Sequence, residues 1–129
     1  MATILVIDDD EYQRLLYQEE LELEGYQVLL AASGQEGVEM VAGQPVDCVV
    51  LDVAMPGMDG IQTLAKILDI NRQLPVILHT AYSSYKDDFM TWAAEAYVIK
   101  SSDTTALKEH IREALDRSKG CPGSSGVGG

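Results

Sequence analysis

Hydrophobic residues in this chain gather into short unbroken runs, separated by longer stretches in which apolar and polar positions mix. The runs Ile4–Ile7, Gln27–Ala31, Cys48–Leu51, Val76–His79 and Tyr97–Ile99 are short and rich in Val, Ile and Leu, as strands buried on both faces are. Between and after them lie stretches of helical length, roughly 11–24, 34–42, 60–71, 84–95 and 104–117. The last has the clearest stripe, with Leu107, Ile111, Ala114 and Leu115 at i, i+4, i+7 and i+8. Ser33 with Glu36 three residues later has the form of a capping box. In the first helical stretch Glu19 and Glu20 interrupt a stripe of Leu15, Leu16 and Leu23. A strict β-α repeat predicts a parallel sheet with right-handed crossovers and helices on both faces. Five units in about 118 residues match a doubly wound α/β fold of the flavodoxin-like order 2-1-3-4-5.

Composition narrows the picture. A chain of 129 residues, 47% hydrophobic and 23% charged, fits one ordinary globular domain. Acidic side chains number 21 against 9 basic, a net charge of −12 that argues against a nucleic-acid or anionic-membrane binder. No apolar run approaches the roughly 18 residues of a membrane span, and no basic n-region precedes Ile4, so no signal peptide is expected. Cys48 lies in an apolar run and Cys121 in a Gly/Ser-rich tail, so a pairing is not expected and a reducing cytoplasm is. From Ser118 onward the chain holds five glycines and is read as a flexible tail or linker, leaving a domain over residues 1–117. Charge is uneven as well: residues 1–24 carry eight acids and one base, and Asp8-Asp9-Asp10-Glu11 directly follows the first strand. Such a block usually marks a solvated segment; one abutting a buried strand needs another account.

In open α/β sheets ligands sit at the carboxyl ends of the strands. Here the first strand ends in Asp8-Asp9, the third in Asp52, the fourth in Thr80 and the fifth in Lys100. Three convergent carboxylates repel one another, and at least one would be driven to protonate in isolation. A hard divalent cation such as Mg²⁺ removes that conflict, because it favours oxygen ligands and binds through one or two carboxylates plus a phosphate. Lys100 and the Thr80 hydroxyl supply a cation and a donor for phosphoryl oxygens. Together these groups describe a site for phosphoryl transfer to an aspartate.

The segments Val6-Ile7-Asp8-Asp9-Asp10, Leu51-Asp52-Val53-Ala54-Met55-Pro56-Gly57-Met58-Asp59-Gly60, Thr80-Ala81 and Tyr97-Val98-Ile99-Lys100 closely resemble the receiver domains of two-component response regulators. The resemblance covers residues 3 to about 117. It implies that Asp52 accepts the phosphoryl group, and that Asp9, Asp52 and the Ala54 carbonyl hold Mg²⁺ (Mn²⁺ substituting), with Asp8 acting through a water. Thr80 and Lys100 then contact the phosphoryl oxygens, and Tyr97 is the switch aromatic. The implied donor is a phosphohistidine on a sensor histidine kinase or phosphotransfer protein. The receiver is a monomer or a phosphorylation-dependent dimer, acting on an output domain or downstream protein. Such a domain promotes only its own phosphorylation and dephosphorylation. The resemblance also places the partner surface on the last two helices and the fifth strand.

The pattern departs from the family at Lys100-Ser101, where proline usually follows the lysine. Ala54 and Tyr82, two residues beyond Asp52 and Thr80, cannot orient a hydrolytic water as an acid or amide does, which predicts slow self-dephosphorylation. Asp10, Glu11 and Asp59 read as helix-end residues, and His79 as a half-buried packing residue, alternation turning it away from the Thr80 side. The main rival is a haloacid-dehalogenase-type phosphatase with Asp8 as nucleophile and Asp10 as general acid, although Tyr12 and the absence of a late acidic metal pair disfavour it. A flavin carrier would need a glycine- and hydroxyl-rich loop after the first strand. A docking module that is never phosphorylated would lack the acids, the acceptor or the lysine.

Overall fold

The computed structural model describes residues 2–52, 60–80, 96–99 and 104–120, with side chains described for 2–52, 62–79 and 104–116. Its elements are β1 (Thr3–Ile7), α1 (Glu11–Leu23), β2 (Gln27–Ala31), α2 (Gly34–Gly43), β3 (Cys48–Leu51), α3 (Gly60–Ile70), β4 (Val76–Thr80), β5 (Ala96–Ile99) and α4 (Thr105–Gly120). All strand pairs are parallel and the sheet order is β2-β1-β3-β4-β5, the predicted doubly wound α/β arrangement. The helical stretch expected over 84–95 lies outside the described residues.

β1, β3 and β4 are buried on both sides along the runs Ile4–Ile7, Cys48–Leu51 and Val76–His79, so their residues divide between two cores. Ile4, Val6, Cys48, Val50 and Ile77 face α1 and α4, joining Tyr17, Leu21, Leu107, Ile111 and Leu115. Leu5, Ile7, Val49, Leu51, Val76 and Leu78 face α2 and α3, joining Leu64, Ile67 and Leu74. On that second side α2 lies so close to β1 that a Cβ on Gly37 would overlap the Ile7 side chain.

The helix ends follow local chemistry. The Asp10 carboxylate caps α1 by accepting from the Tyr12 and Gln13 amides at 2.9 and 3.3 Å. The helix closes at Gly25, whose φ of +94° suits glycine alone; the Tyr26 amide returns to the Leu21 carbonyl and that of Gly25 to Glu22, a Schellman closure. Ser33 caps α2 through the Glu36 amide, but Glu36 reaches back to the Ala32 amide rather than to that of Ser33. The expected capping box is thus one residue wider than the standard form. Helix α4 continues to Gly120, three residues past the expected boundary at 117. Pro122, which cannot continue the i→i−4 ladder, follows two residues later.

Two expectations for the α1 side need correction. The stripe of α1 is Tyr17 and Leu21 with Leu16 beside it, whereas Leu15 and Leu23 are 53% and 75% exposed. His79 is fully buried rather than half-buried. The first correction follows from the second, because His79 offers Tyr17 a partner and thereby sets the rotation of the helix. Glu20, which interrupted the expected stripe, instead ties α1 to α4: its Oε1 accepts from Lys108 Nζ at 2.8 Å and from the Thr104 hydroxyl at 3.1 Å. These two bonds, the lysine's first, hold the Glu20 carboxyl below its ordinary pKa.

Candidate functional site

The carboxyl ends of β1 and β3 lie side by side at the centre of the sheet. The register pairs Ile7 with Leu51, and the ladder runs one step further as the Asp52 amide donates to the Ile7 carbonyl at 3.0 Å. On the other flank the Asp8 amide donates to the Ala31 carbonyl at 3.1 Å. Both backbones are therefore still held as strand where the acids begin. Asp8 is 1% and Asp52 5% exposed, while Asp9, next along the chain, faces solvent. One carboxylate oxygen from each of Asp8, Asp9 and Asp52 lies within 4.8 Å of the other two.

Neighbouring groups fix this cluster. Asp8 Oδ1 accepts from the Asp10 amide at 2.9 Å, shaping the turn that leads into α1. Arg14, near the start of α1, donates from Nη1 to the Asp8 carbonyl at 2.7 Å. Beneath the acids the Tyr17 hydroxyl is hydrogen-bonded to His79 Nε2 at 3.0 Å, with the rings edge to face and their centroids 4.7 Å apart. Burial pushes the Tyr17 hydroxyl far above its ordinary pKa, and the charges of Asp8, Asp52 and Asp10 push it the same way. It therefore stays a protonated, neutral hydroxyl throughout the physiological range.

Chemically, the cluster is an all-oxygen donor set with two buried members and one open to water. Buried carboxylates are costly unless an opposite charge or hydrogen bonds accompany them. A small hard cation matches the donor chemistry, since Mg²⁺ takes carboxylate oxygens and keeps several waters. The residues present fit such an ion. Asp10 has a different part: its carboxylate is engaged at the start of α1, which removes the general acid that the haloacid-dehalogenase reading needed.

Of the other site residues expected from sequence, Thr80 ends β4 and Tyr97 lies in β5 in register with Leu78; both side chains fall outside those described. Lys100, Ala54 and Tyr82 lie outside the described residues altogether. The sequence reading gave Arg14 and Tyr17 no part at the cluster and read His79 only as a packing residue. Arg14 carried a signal, being the one base beside the eight acids of residues 1–24. The pairing of Tyr17 with His79 gave none, because 62 positions separate them in the chain.

Comparison with known proteins defines the class. The family model described as the response regulator receiver domain matches residues 4–112, and the chain belongs to that family. It is 40% identical over 114 residues to the transcriptional regulatory protein ZraR of Escherichia coli, covering 87% of this chain and 26% of the relative. It is 37% identical to the uncharacterized transcriptional regulatory protein YkoG of Bacillus subtilis over 87% of this chain and 50% of that one. The chain thus spans between a quarter and a half of these relatives. Among solved structures, the response regulator TrrA of Thermotoga maritima in complex with Mg(2+)-BeF superposes with a TM-score of 0.87 at 39% identity, covering 89% of this chain and 100% of that one. TrrA in complex with the histidine kinase ThkA superposes with a TM-score of 0.84 at the same identity, covering 89% and 99%. This protein is therefore a two-component receiver domain.

Proposed function

We propose that the chain takes a phosphoryl group from a phosphohistidine onto Asp52. The convergence of buried Asp8, buried Asp52 and exposed Asp9 within 4.8 Å carries this reading. An Asp52 carboxylate oxygen attacks phosphorus as the P–N bond breaks. The bonding pair stays on the imidazole nitrogen, which leaves as neutral histidine after gaining one proton. Asp9, Asp52 and the Ala54 carbonyl would hold Mg²⁺, or Mn²⁺ in its place, with Asp8 acting through a water. Bound there, the ion would supply Lewis-acid charge that offsets the carboxylates and polarises the phosphoryl oxygens. Thr80 and Lys100 bind those oxygens, and Tyr97 turns inward as Thr80 moves toward them. Arg14 adds a cation at the rim through its bond to the Asp8 carbonyl.

The receiver unit spans residues 1–117, acts in the cytoplasm, and passes its state to an output domain or downstream protein. It has no external substrate to turn over. Ala54 and Tyr82 leave the acyl phosphate poorly served by water, so it persists for many minutes. The chain, incubated with acetyl phosphate and Mg²⁺, gains one phosphoryl group that hydroxylamine removes and that EDTA prevents from forming. No uptake, or a hydroxylamine-stable product, overturns the reading.

A further inference from the structure

Strand alternation brings more than the acids to this end of the sheet. Val6 on β1, Val50 on β3 and Ile77 on β4 share the core under α1 and α4. The positions two residues further along each strand are Asp8, Asp52 and His79, and all are buried. The β3–β4 register runs Val50 with Ile77 and Leu51 with Leu78. One more step sets His79 on the strand beside Asp52, immediately before Thr80. Tyr17 meets it there from α1, whose own first turn is fastened to the acid loop by Asp10 and Arg14. A polar pair at this depth costs folding energy that an aliphatic pair, as on the α2 and α3 side, would avoid.

We propose that Tyr17 and His79 are positioning residues for phosphoryl transfer, their hydrogen bond fixing the end of β4, and with it Thr80, relative to Asp52. Neither touches the transferring group. The bond links the strand that carries Thr80 to the helix anchored at the acid loop, so the two halves of the site keep one spacing. The inference rests on the roles proposed for Asp52 and Thr80.

The test measures phosphoryl uptake from acetyl phosphate at saturating Mg²⁺, on the full chain, at a temperature where circular dichroism shows every variant folded. Tyr17→Phe keeps the ring and removes the hydroxyl, and His79→Phe keeps a ring and removes the nitrogen it is bonded to. Each slows uptake about threefold to tenfold, the effect of one neutral hydrogen bond. The double variant is no slower than either single one, His79→Gln restores a partner and most of the rate, and the Mg²⁺ midpoint stays unchanged throughout. Wild-type rates in Tyr17→Phe, with only a lower melting temperature, make the pair structural and overturn the inference. Multiplicative effects in the double variant also overturn it. If the wild-type chain takes up no phosphoryl group, the functional reading itself has failed.

Discussion

On the α2 and α3 side of the sheet the described buried strand residues are aliphatic, whereas on the α1 and α4 side the aliphatics share space with Asp8, Asp52 and His79. Both sides start from one sequence device, a short run of branched residues whose alternate members face opposite ways. On the first side the packing is tight enough for Gly37 to sit against Ile7. The second is completed by polar pairs: Tyr17 with His79 beneath the acids, and Glu20 with Lys108 and Thr104 further down the helices. One side stabilises the sheet, and the other trades some stability for placed charge.

That division predicts separable effects. Removing bulk from the aliphatic side has the largest effect on folding: Leu64→Ala, at a fully buried site, lowers unfolding free energy by about 2–5 kcal/mol. Its phosphoryl uptake stays at the wild-type rate wherever the variant is folded, and a parallel loss of both would break the comparison. On the acid side the relevant change is ligation. Mg²⁺ at a hundredfold excess over its Kd stabilises the chain by about 2.7 kcal/mol, read as a rise in melting temperature, and Asp9→Asn diminishes that rise. An unmoved melting point in the wild type would remove the metal site from the account.

The smallest effect lies at alkaline pH. The Tyr17 proton is held more tightly in the folded state than in the unfolded chain. Its contribution is therefore complete below the ordinary tyrosine value and is lost as pH rises from there toward the folded value. Chemical denaturation above pH 10 should show stability falling by up to about 1.4 kcal/mol per pH unit from this proton. Tyr17→Phe flattens the slope but leaves the part due to Tyr26, which burial also raises. An identical slope in the variant would mean that neither burial nor the acids hold the Tyr17 proton.

These contrasts also mark what could be read without coordinates. The strands were legible because a parallel sheet covered on both faces demands continuous Val, Ile and Leu, and the chain offers little else so apolar. Asp8, Asp9 and Asp52 were legible because strand ends converge wherever such a sheet forms. Thr80 and Tyr97 fall on β4 and β5 as expected. The rotation of α1 was not legible: with Leu15, Leu16, Tyr17, Leu21 and Leu23 all apolar, local pattern allows more than one buried face. The structure's choice of Tyr17 depends on His79, far along the chain, and Leu15 and Leu23 are left to solvent. Propensity and periodicity see neighbours within a turn or two; a polar pair that spans helix and sheet is invisible to them.

The account stands most directly on where the phosphoryl group goes. Treatment with acetyl phosphate and Mg²⁺, followed by borohydride reduction and peptide mapping, converts a phosphorylated aspartate to homoserine and so identifies it. The homoserine is predicted at position 52, and Asp52→Asn is predicted to yield none. Homoserine at position 8, or an undiminished yield in Asp52→Asn, would contradict the account.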